Sequence, residues 1–361
     1  MKLLNKIALN YETSRKFSLM KLPGTLSSPL PDEVDSELVD ALQINSRASW
    51  ATVAQAVDSS ALTLSRRWQK LVENGLAWST IALSPQSSLG ALVEVRCSPF
   101  QELAVAHRLA QRPDVITVGV TTGDFQVYCI VLAPDTASIS HTLLHDLALE
   151  QGVLRVRNNV FGSMFGGVVW RQGIMSARQT DLVKLAMDPL RSAVPQINLR
   201  DRPLFLALGK DGRRSYEELS DELGISAYSI RRRINFLLRS ADIAFRCDVA
   251  RPLFGFPTSA LLLVDLPDSE VQPFGKAVGK WTETRFCASV ASASNVIVIF
   301  GTKSLNHLEQ LFIRLEEDFP SAQINDRRLV LRPVKLYGRL IEEDGRAASV
   351  IPVDPWYSQC S

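Results

Sequence analysis

The chain has 361 residues, of which 46% are hydrophobic and 22% are charged. This composition is typical of folded globular proteins and excludes disordered, collagen-like and coiled-coil classes, while the length corresponds to two or three domains. Forty basic residues against 38 acidic ones leave a net charge of +2, so any surface that binds nucleic acid must be local.

An internal repeat organises the chain and therefore its architecture. The segment that begins at Asp35 aligns without a gap with the segment that begins at Asp201, at a constant offset of 166 residues. The matched positions share their chemical character: Leu42 with Leu208, Val53 with Leu219, Val57 with Leu223, Ser60 with Ser226, Leu64 with Ile230, Trp68 with Ile234, and Leu71 with Leu237. Such a series predicts a duplication whose second copy starts near residue 196.

The first copy follows a predicted N-terminal tail over residues 1–31 and opens with three helices. Apolar residues recur at helical spacing, and Ser60 is positioned to cap the third helix after a four-residue turn. The core-facing stripe of that helix is predicted to consist of Leu64, Trp68, Leu71 and Val72. Because two short helices joined by a tight turn form a helix-turn-helix, residues 32–88 are predicted to be a winged helix-turn-helix unit.

Each helical unit is followed by a short extended segment, which we interpret as a wing. These segments are Ala77–Leu83 and Ile243–Val249. Beyond the first one, strands and helices alternate in the order βαββαβ over residues 89–163, which is the order of ferredoxin-like folds. Residues 164–195 are interpreted as a linker that is helical over 177–187.

The second copy repeats this organisation. Residues 196–255 are predicted to form a second winged helix-turn-helix, capped by Ser226, and residues 256–337 follow the same βαββαβ order. Residues 338–361 are interpreted as a C-terminal tail. The predicted fold class is α+β, with two winged helix-turn-helix units that are each followed by a ferredoxin-like domain.

A winged helix-turn-helix followed at once by a βαββαβ domain resembles the Lrp/AsnC family of transcription regulators, whose second domain is of the RAM type. The resemblance covers nearly the whole chain, twice over. It is carried by SRASWATVAQAV from Ser46, LSRRWQKLVENGLA from Leu64 and VTTGDFQVYCIV from Val120. The last segment is similar to the family's TGDYD effector signature, with Phe125 and Gln126 as departures. The second copy has ASASNVIV from Ala291 at this place and lacks the Gly and Asp.

The resemblance implies a DNA-binding regulator and not an enzyme. The family pairs its chains through the βαββαβ domain, so two units in one chain imply a covalently fused dimer with unequal halves. Such a chain is expected to bind double-stranded DNA at two non-identical half-sites, to assemble further into dimers or tetramers, and to need no cofactor or metal. His141 and His145 have metal-site spacing, but they lack a third ligand nearby.

The DNA contacts are predicted from helical periodicity. With the apolar stripe inward at ~100° per residue, polar and basic side chains point outward, and Arg, Asn and Gln are the side chains that read base edges. The predicted contacts are Thr63, Arg66, Gln69 and Lys70 in the first copy, and Tyr228, Ser229, Arg231, Arg232, Asn235 and Arg239 in the second. Arg67 and Arg233 lie nearer the stripe, and we expect them to bridge helices.

Charge separates the two copies. Residues 200–251 contain 11 basic and 8 acidic side chains, whereas residues 32–84 contain 4 and 7. Because phosphate attraction supplies most of the salt-dependent affinity for DNA, we expect the second helix-turn-helix to anchor the protein on DNA.

The effector site is predicted at the turn formed by Thr122, Gly123 and Asp124. Gly123 allows a tight turn between two strands, and the Asp124 carboxylate is able to accept a hydrogen bond from an ammonium group. An isolated Gly-Asp pair is also compatible with a plain hairpin turn. The family resemblance favours an amino acid or similar small molecule at this turn, and the second copy is expected to act as scaffold.

Two alternative functions stay open. Siroheme decarboxylases share the same architecture, and such an enzyme needs His and Arg in its βαββαβ domains to bind carboxylates and move protons. The central strands carry TTGDFQ and ASASN, without His, and Arg285 is a lone candidate. The other alternative is an interaction module that modulates a partner without binding DNA.

Cysteine usage and hydropathy bear on the cellular compartment. The five cysteines are single, with no Cys-x-x-Cys pair, which is typical of a reducing compartment. No apolar run approaches the ~18 residues that cross a bilayer, and the first 30 residues lack a signal-peptide core. We therefore expect a cytoplasmic, nucleoid-associated protein without a membrane segment.

Overall fold

The computed structural model describes residues 30–167, 170–184 and 194–360. The predicted N-terminal tail lies almost entirely outside these ranges, as does the end of the helix predicted over 177–187. Within the described ranges, no helix is long and apolar enough to cross a membrane. The same residues contain no group of three or more His, Cys, Asp or Glu side chains arranged to hold a metal ion.

Two sets of three helices stand at equivalent places in the two halves. The first set is α1 (Glu33–Ile44), α2 (Trp50–Val57) and α3 (Ala61–Glu73). The second set is α7 (Arg202–Lys210), α8 (Tyr216–Leu223) and α9 (Ala227–Arg239). Ser60 accepts a hydrogen bond from the amide of Thr63, and Ser226 accepts one from the amide of Ser229. These bonds satisfy amides that a helix N-terminus leaves without partners.

The prediction that each helical unit has a wing of its own is wrong. Each unit contributes a single strand, β1 (Ala77–Leu83) or β6 (Ile243–Val249), and these two strands pair antiparallel with each other over their full length. Thr80 lies opposite Arg246 at the centre of this ribbon. The local pattern gives strand type but not strand partner, because the pairing joins segments far apart in sequence.

The remaining secondary structure forms two βαββαβ units. The first unit contains β2 (Leu89–Cys97), α4 (Glu102–Gln111), β3 (Val115–Thr121), β4 (Val127–Ala133), α5 (Thr136–His141) and β5 (Val153–Gly166). The second contains β7 (Thr258–Asp265), α10 (Asp268–Val278), β8 (Thr284–Ala291), β9 (Val296–Thr302), α11 (Leu305–Asp318) and β10 (Gln323–Leu336). The predicted element order is therefore present in both halves.

The eight long strands close into a barrel. Within the first unit β3, β4, β2 and β5 are neighbours, and within the second β8, β9, β7 and β10 are neighbours. Two pairings join the units, because β5 pairs with β8 and β10 pairs with β3. The helices of each unit cover the outside of its sheet, where separate apolar cores form. The opposite faces enclose a third core that continues among helices α7, α8 and α9.

The predicted linker over residues 164–195 is packed against the first helical unit. Strand β5 extends to Gly166, and helix α6 (Ala177–Val183) follows a loop. The fully buried carboxylate of Asp40 accepts hydrogen bonds from three successive amides of that loop, at Gly173, Ile174 and Met175, over 2.7–3.0 Å. Charge-assisted bonds of this kind fix the loop.

The prediction of a C-terminal tail over residues 338–361 is wrong. Strands β11 (Arg339–Ile341) and β12 (Ala347–Val350) extend the sheet beyond β10, and helix α12 (Tyr357–Cys360) follows. The Trp356 ring packs edge-on against Phe205, and Asp354 pairs with Arg202. These elements are too short to show a period, and only long-range contacts order them.

Burial of one lysine predicts a pH-dependent stability. Lys335 in β10 is fully buried, its ammonium donates to the Arg112 carbonyl at 2.8 Å, and burial lowers its pKa from 10.5 to about 7. The unfolded chain therefore binds more protons than the native state between about pH 7 and 10.5, so this lysine destabilises the fold most at low pH.

The substitution Lys335→Met is expected to raise the free energy of unfolding below pH 7. The difference in unfolding free energy between the variant and the wild type should narrow as the pH rises from about 7 towards 10.5, by about 1 kcal/mol per pH unit. Urea denaturation across this pH range measures the gap, and Lys303→Met, at an exposed lysine, is the control. A gap that does not change with pH would contradict the assignment.

Candidate nucleic-acid interface and effector turn

Helix α3 presents its polar face to solvent. Thr63, Arg66, Gln69 and Lys70 are exposed, and Leu62 beside them is 62% exposed. The opposite face, which carries Leu64, Trp68 and Leu71, is buried in the core of the first unit. The prediction that Val72 belongs to this buried stripe is wrong, because its side chain is 43% exposed at the edge of the face. The four predicted contacts of the first copy thus share one accessible surface.

Helix α9 presents a more basic face at the equivalent place. Tyr228, Arg231, Arg232 and Arg239 are exposed, and Ser229 and Asn235 are partly exposed. Tyr228 is 73% exposed, which is unusual for an aromatic side chain without a partner surface. Arg231 and Arg232 have no ion pair within the described part of the chain.

Arg67 and Arg233 are structural, as expected. Arg67 donates to Asp32 and Asp35, and Arg233 forms a bidentate pair with Asp201 at 2.6 and 2.7 Å. Each arginine thus ties the third helix of its unit to the start of that unit. These contacts raise the pKa of both guanidinium groups, with the bonds to Asp32 and to Asp201 as the largest causes.

A reciprocal pair of arginines joins the two helical units, and the sequence interpretation missed it. Arg47 donates to the carbonyls of Gly212 and Arg214 at 2.6 and 2.9 Å. In return, Arg213 donates to the carbonyls of Ser46 and Ala48. The available signal was that Arg47 and Arg213 are themselves separated by the repeat offset of 166.

Aromatic rings complete this arginine clasp, as we call the contacts of Arg47 and Arg213. Arg213 lies over the Trp50 ring at 4.1 Å, and Arg47 lies over the Tyr216 ring at 4.9 Å. Burial lowers the pKa of Arg213 to about 10, and the positive charge of Arg47 contributes. The clasp therefore holds the two helical units by directional bonds in a partly dry environment.

The effector turn is exposed and is contacted by the other half of the chain. Gly123 has φ +92, which favours glycine, and Asp124 is exposed. Thr122 exchanges hydrogen bonds with Leu329 of β10, at 3.0 Å in both directions. A Cβ on Gly123 would meet the Arg328 side chain at 3.1 Å, so the turn leaves little space behind it.

Beneath the effector turn lies a buried ionic cluster. Arg328, whose exposed fraction is 1%, pairs with the fully buried Glu94 and donates to the Phe125 carbonyl at 3.1 Å. Asn159 donates to Glu94 at 2.9 Å. A buried ion pair needs such additional bonds. The Arg328 side chain of this cluster occupies the space behind the turn.

Comparisons with known proteins agree with this geometry. Residues 32–72 match the AsnC-type helix-turn-helix domain, and residues 90–163 match the Lrp/AsnC ligand binding domain. The transcriptional regulator LysM of Saccharolobus solfataricus is 26% identical over 131 residues, which cover 36% of this chain and 92% of LysM. The uncharacterized regulator PH0140 of Pyrococcus horikoshii is 23% identical over 137 residues, which cover 37% of this chain and 87% of that protein.

Among solved structures, the siroheme decarboxylase NirDL has the same overall fold. It covers 87% of this chain and 96% of its own, with a TM-score of 0.55 and 13% identity. A second NirDL structure, in complex with an iron-uroporphyrin III analogue, has a TM-score of 0.56 and 12% identity. At this identity the similarity concerns the fold alone.

The first half of the chain thus combines a helix-turn-helix domain with a ligand-binding type of domain. Both domains are of the Lrp/AsnC type, and the relatives that share them are named transcriptional regulators.

Neighbouring arginines on α9 allow a matched test of the structural role. Arg233→Gln is expected to lower the free energy of unfolding by about 1–3 kcal/mol, because it removes a bidentate charge-assisted pair and leaves Asp201, which is 8% exposed, without it. Arg232→Gln, on the exposed face, should change stability by less than about 0.5 kcal/mol. Chemical denaturation of both variants measures the difference, and equal losses would refute the distinction.

Proposed function

We propose that this protein is a sequence-specific transcription regulator with two DNA-binding units of the Lrp/AsnC type in one chain. The observation that carries the proposal is the pair of exposed polar faces on α3 and α9, behind equivalent serine caps. The matching helix-turn-helix domain and the named relatives support it.

One chain is proposed to bind two half-sites that differ in sequence. The arginine clasp and the β1–β6 ribbon join the two helical units, so both recognition helices act together. Their faces differ, because α3 presents Ser65 and Gln69 at positions where α9 presents Arg231 and Asn235. Since different side chains select different base edges, the two half-sites are expected to be unequal.

Further assembly into dimers or tetramers is part of the proposal. The β10–β3 and β5–β8 pairings occupy the outer strand edges of both units within the chain, so contacts between chains must use other surfaces. Large apolar side chains of the first ferredoxin-like unit are exposed and offer such a surface: Phe100, Leu103, Leu144, Leu149 and Leu154.

The unequal charge of the two units predicts unequal roles on DNA. Arg231→Gln with Arg232→Gln should weaken DNA binding about 10- to 100-fold and reduce the salt slope by up to about 2, because two phosphate neutralisations are lost. Arg66→Gln with Lys70→Gln should weaken it less. Gel shifts over a salt series measure both, and equal losses from the two pairs would contradict the anchoring role of α9.

The target site for these gel shifts comes from genomic fragments that the purified protein retains at moderate salt. Enrichment of a few promoters with asymmetric half-sites supports the regulator. Absence of enrichment at any salt would favour an interaction module that does not bind DNA.

An amino acid or similar effector is proposed to bind at the turn of Thr122, Gly123 and Asp124. Because residues 291–295 of the second unit lack the Gly and Asp, calorimetric titration with amino acids should give one site per chain. Asp124→Asn should abolish it by removing the charge that pairs with the ammonium group. The control is Asp181→Asn at an exposed aspartate elsewhere, and two sites per chain would contradict the assignment.

Siroheme decarboxylation is the second candidate, favoured by the NirDL fold over nearly the whole chain. The four histidines lie on the outer helices and their continuations, at His107, His141, His145 and His307. None of them lines the cavity inside the barrel, which residues such as Leu83, Ile130 and Arg285 line and where a proton-transferring group would have to lie. A spectral change on adding siroheme would favour the enzyme, and its absence would favour the regulator.

A further inference from the structure

The barrel encloses a cavity that residues of both ferredoxin-like units line. Its volume is about 120 Å³, close to that of an engineered apolar cavity of ~150 Å³ that binds benzene. Apolar side chains from both units form its wall, and they include Ile116, Ile130, Leu132, Phe161, Phe286 and Ile299. Eight-stranded barrels have interiors of a size that suits one small ligand.

Positive charge is concentrated at one side of this cavity. The charged residues that line it are Arg246, Asp248, Arg251 and Arg285. Arg246 and Asp248 form a bidentate pair at 2.6 and 2.9 Å and satisfy each other. Among the lining residues, two positive charges therefore remain in excess next to an apolar wall, and the Glu283 carboxylate outside the lining offsets only part of the charge on Arg285. Such an excess is costly unless an anion is present.

Arg285 is the most buried of the unpaired cations. Its exposed fraction is 5%, and its guanidinium stacks on the Trp170 ring at 3.8 Å while donating to the carbonyls of Thr282 and Gly301. Its Nε has no hydrogen-bond partner. Within the described ranges, no carboxylate lies at ion-pair distance from Arg285 or Arg251.

The pKa values of the two arginines reflect the same lack of a paired anion. Burial, followed by the positive charge of Arg251, lowers the pKa of Arg285 to about 8. The Arg251 pKa is also lowered, chiefly by burial. With a pKa of about 8, Arg285 is charged at neutral pH, so a bound anion would relieve an existing electrostatic cost and gain a charge-assisted hydrogen bond from its free Nε.

We propose that the barrel cavity binds a small carboxylate with an apolar body about the size of a benzene ring. The carboxylate pairs with Arg285 and Arg251, and the body lies against the aliphatic and aromatic wall. A carboxylate is favoured over inorganic phosphate because most of the lining is apolar. This site is separate from the turn of Thr122, Gly123 and Asp124, and it requires no ammonium group on the ligand.

The position of the site connects it to the recognition helices, a step that rests on the proposed function. Leu83 of β1 and Arg246 and Asp248 of β6 line the cavity, and these strands directly follow α3 and α9. The core around the cavity is also continuous with that of the second helical unit. Occupancy is therefore able to shift the helical pair if the carboxylate binds its two arrangements unequally.

Calorimetric titration of the full chain with benzoate and with 4-methylpentanoate, at up to millimolar concentration, tests the site. Benzamide, which has the shape of benzoate but no charge, is the ligand control. We expect at least one carboxylate to bind with one site per chain and benzamide to bind at least tenfold more weakly. Failure of both carboxylates, or equal binding of benzamide, would overturn the proposal.

Three variants distinguish the contribution of the Arg285 charge to carboxylate binding from that of the cavity volume. Arg285→Gln should weaken carboxylate binding at least tenfold, and Ile130→Phe, which fills the cavity without changing charge, should also block it. Arg314→Gln is the matched control, because Arg314 stacks on the Trp281 ring at 3.9 Å on an outer helix. The Arg314→Gln variant should bind the carboxylate with unchanged affinity. Unaltered binding by a folded Ile130→Phe variant would place the ligand elsewhere and overturn the proposal.

The DNA arm of the experiment distinguishes the two proposals. Gel shifts are repeated with and without the carboxylate that binds. A carboxylate that binds to a protein without DNA affinity overturns the regulator and leaves the cavity site standing. If the protein binds DNA but neither carboxylate, the cavity site is overturned and the regulator proposal stands.

Discussion

The arrangement of the two helical units depends on the arginine clasp. Arg47 and Arg213 each place a guanidinium against two backbone carbonyls of the other unit and over one of its aromatic rings. Guanidinium groups suit this role because their donors form a rigid planar fork. The clasp and the adjoining β1–β6 ribbon make the helical pair one body, and both faces proposed to contact DNA belong to that body.

The barrel shows how two similar halves acquire different properties. Both halves supply the same four-stranded pattern, but the glycine turn with Asp124 occurs in the first half, while the basic helix face and Arg285 occur in the second. Each half also completes the other: Arg328 of the second lies behind the effector turn of the first. A fused chain permits such asymmetry, whereas a dimer of identical chains repeats every substitution in both halves.

Features set by local chemistry could be predicted from the sequence, and features set by distant partners could not. The serine caps and the Leu64, Trp68 and Leu71 stripe gave α3 its limits and its buried face, and the exposed faces of both recognition helices follow from the same periodicity. The wings failed because β1 and β6 pair across the chain, and the C-terminal tail failed because Trp356 is held by Phe205. The cavity could not be predicted from the sequence either, because its lining comes from strands of both units.

Closure of the barrel has a consequence for the newly made chain. The first half leaves the ribosome with the edges of β3 and β5 unpaired, and their partners β10 and β8 follow much later. Exposed strand edges invite pairing with other chains. The covalent connection between the halves counters this, because it keeps the correct partner at a high effective concentration around the waiting edges. The fusion thus selects intramolecular pairing of unlike halves over association of like halves from different chains.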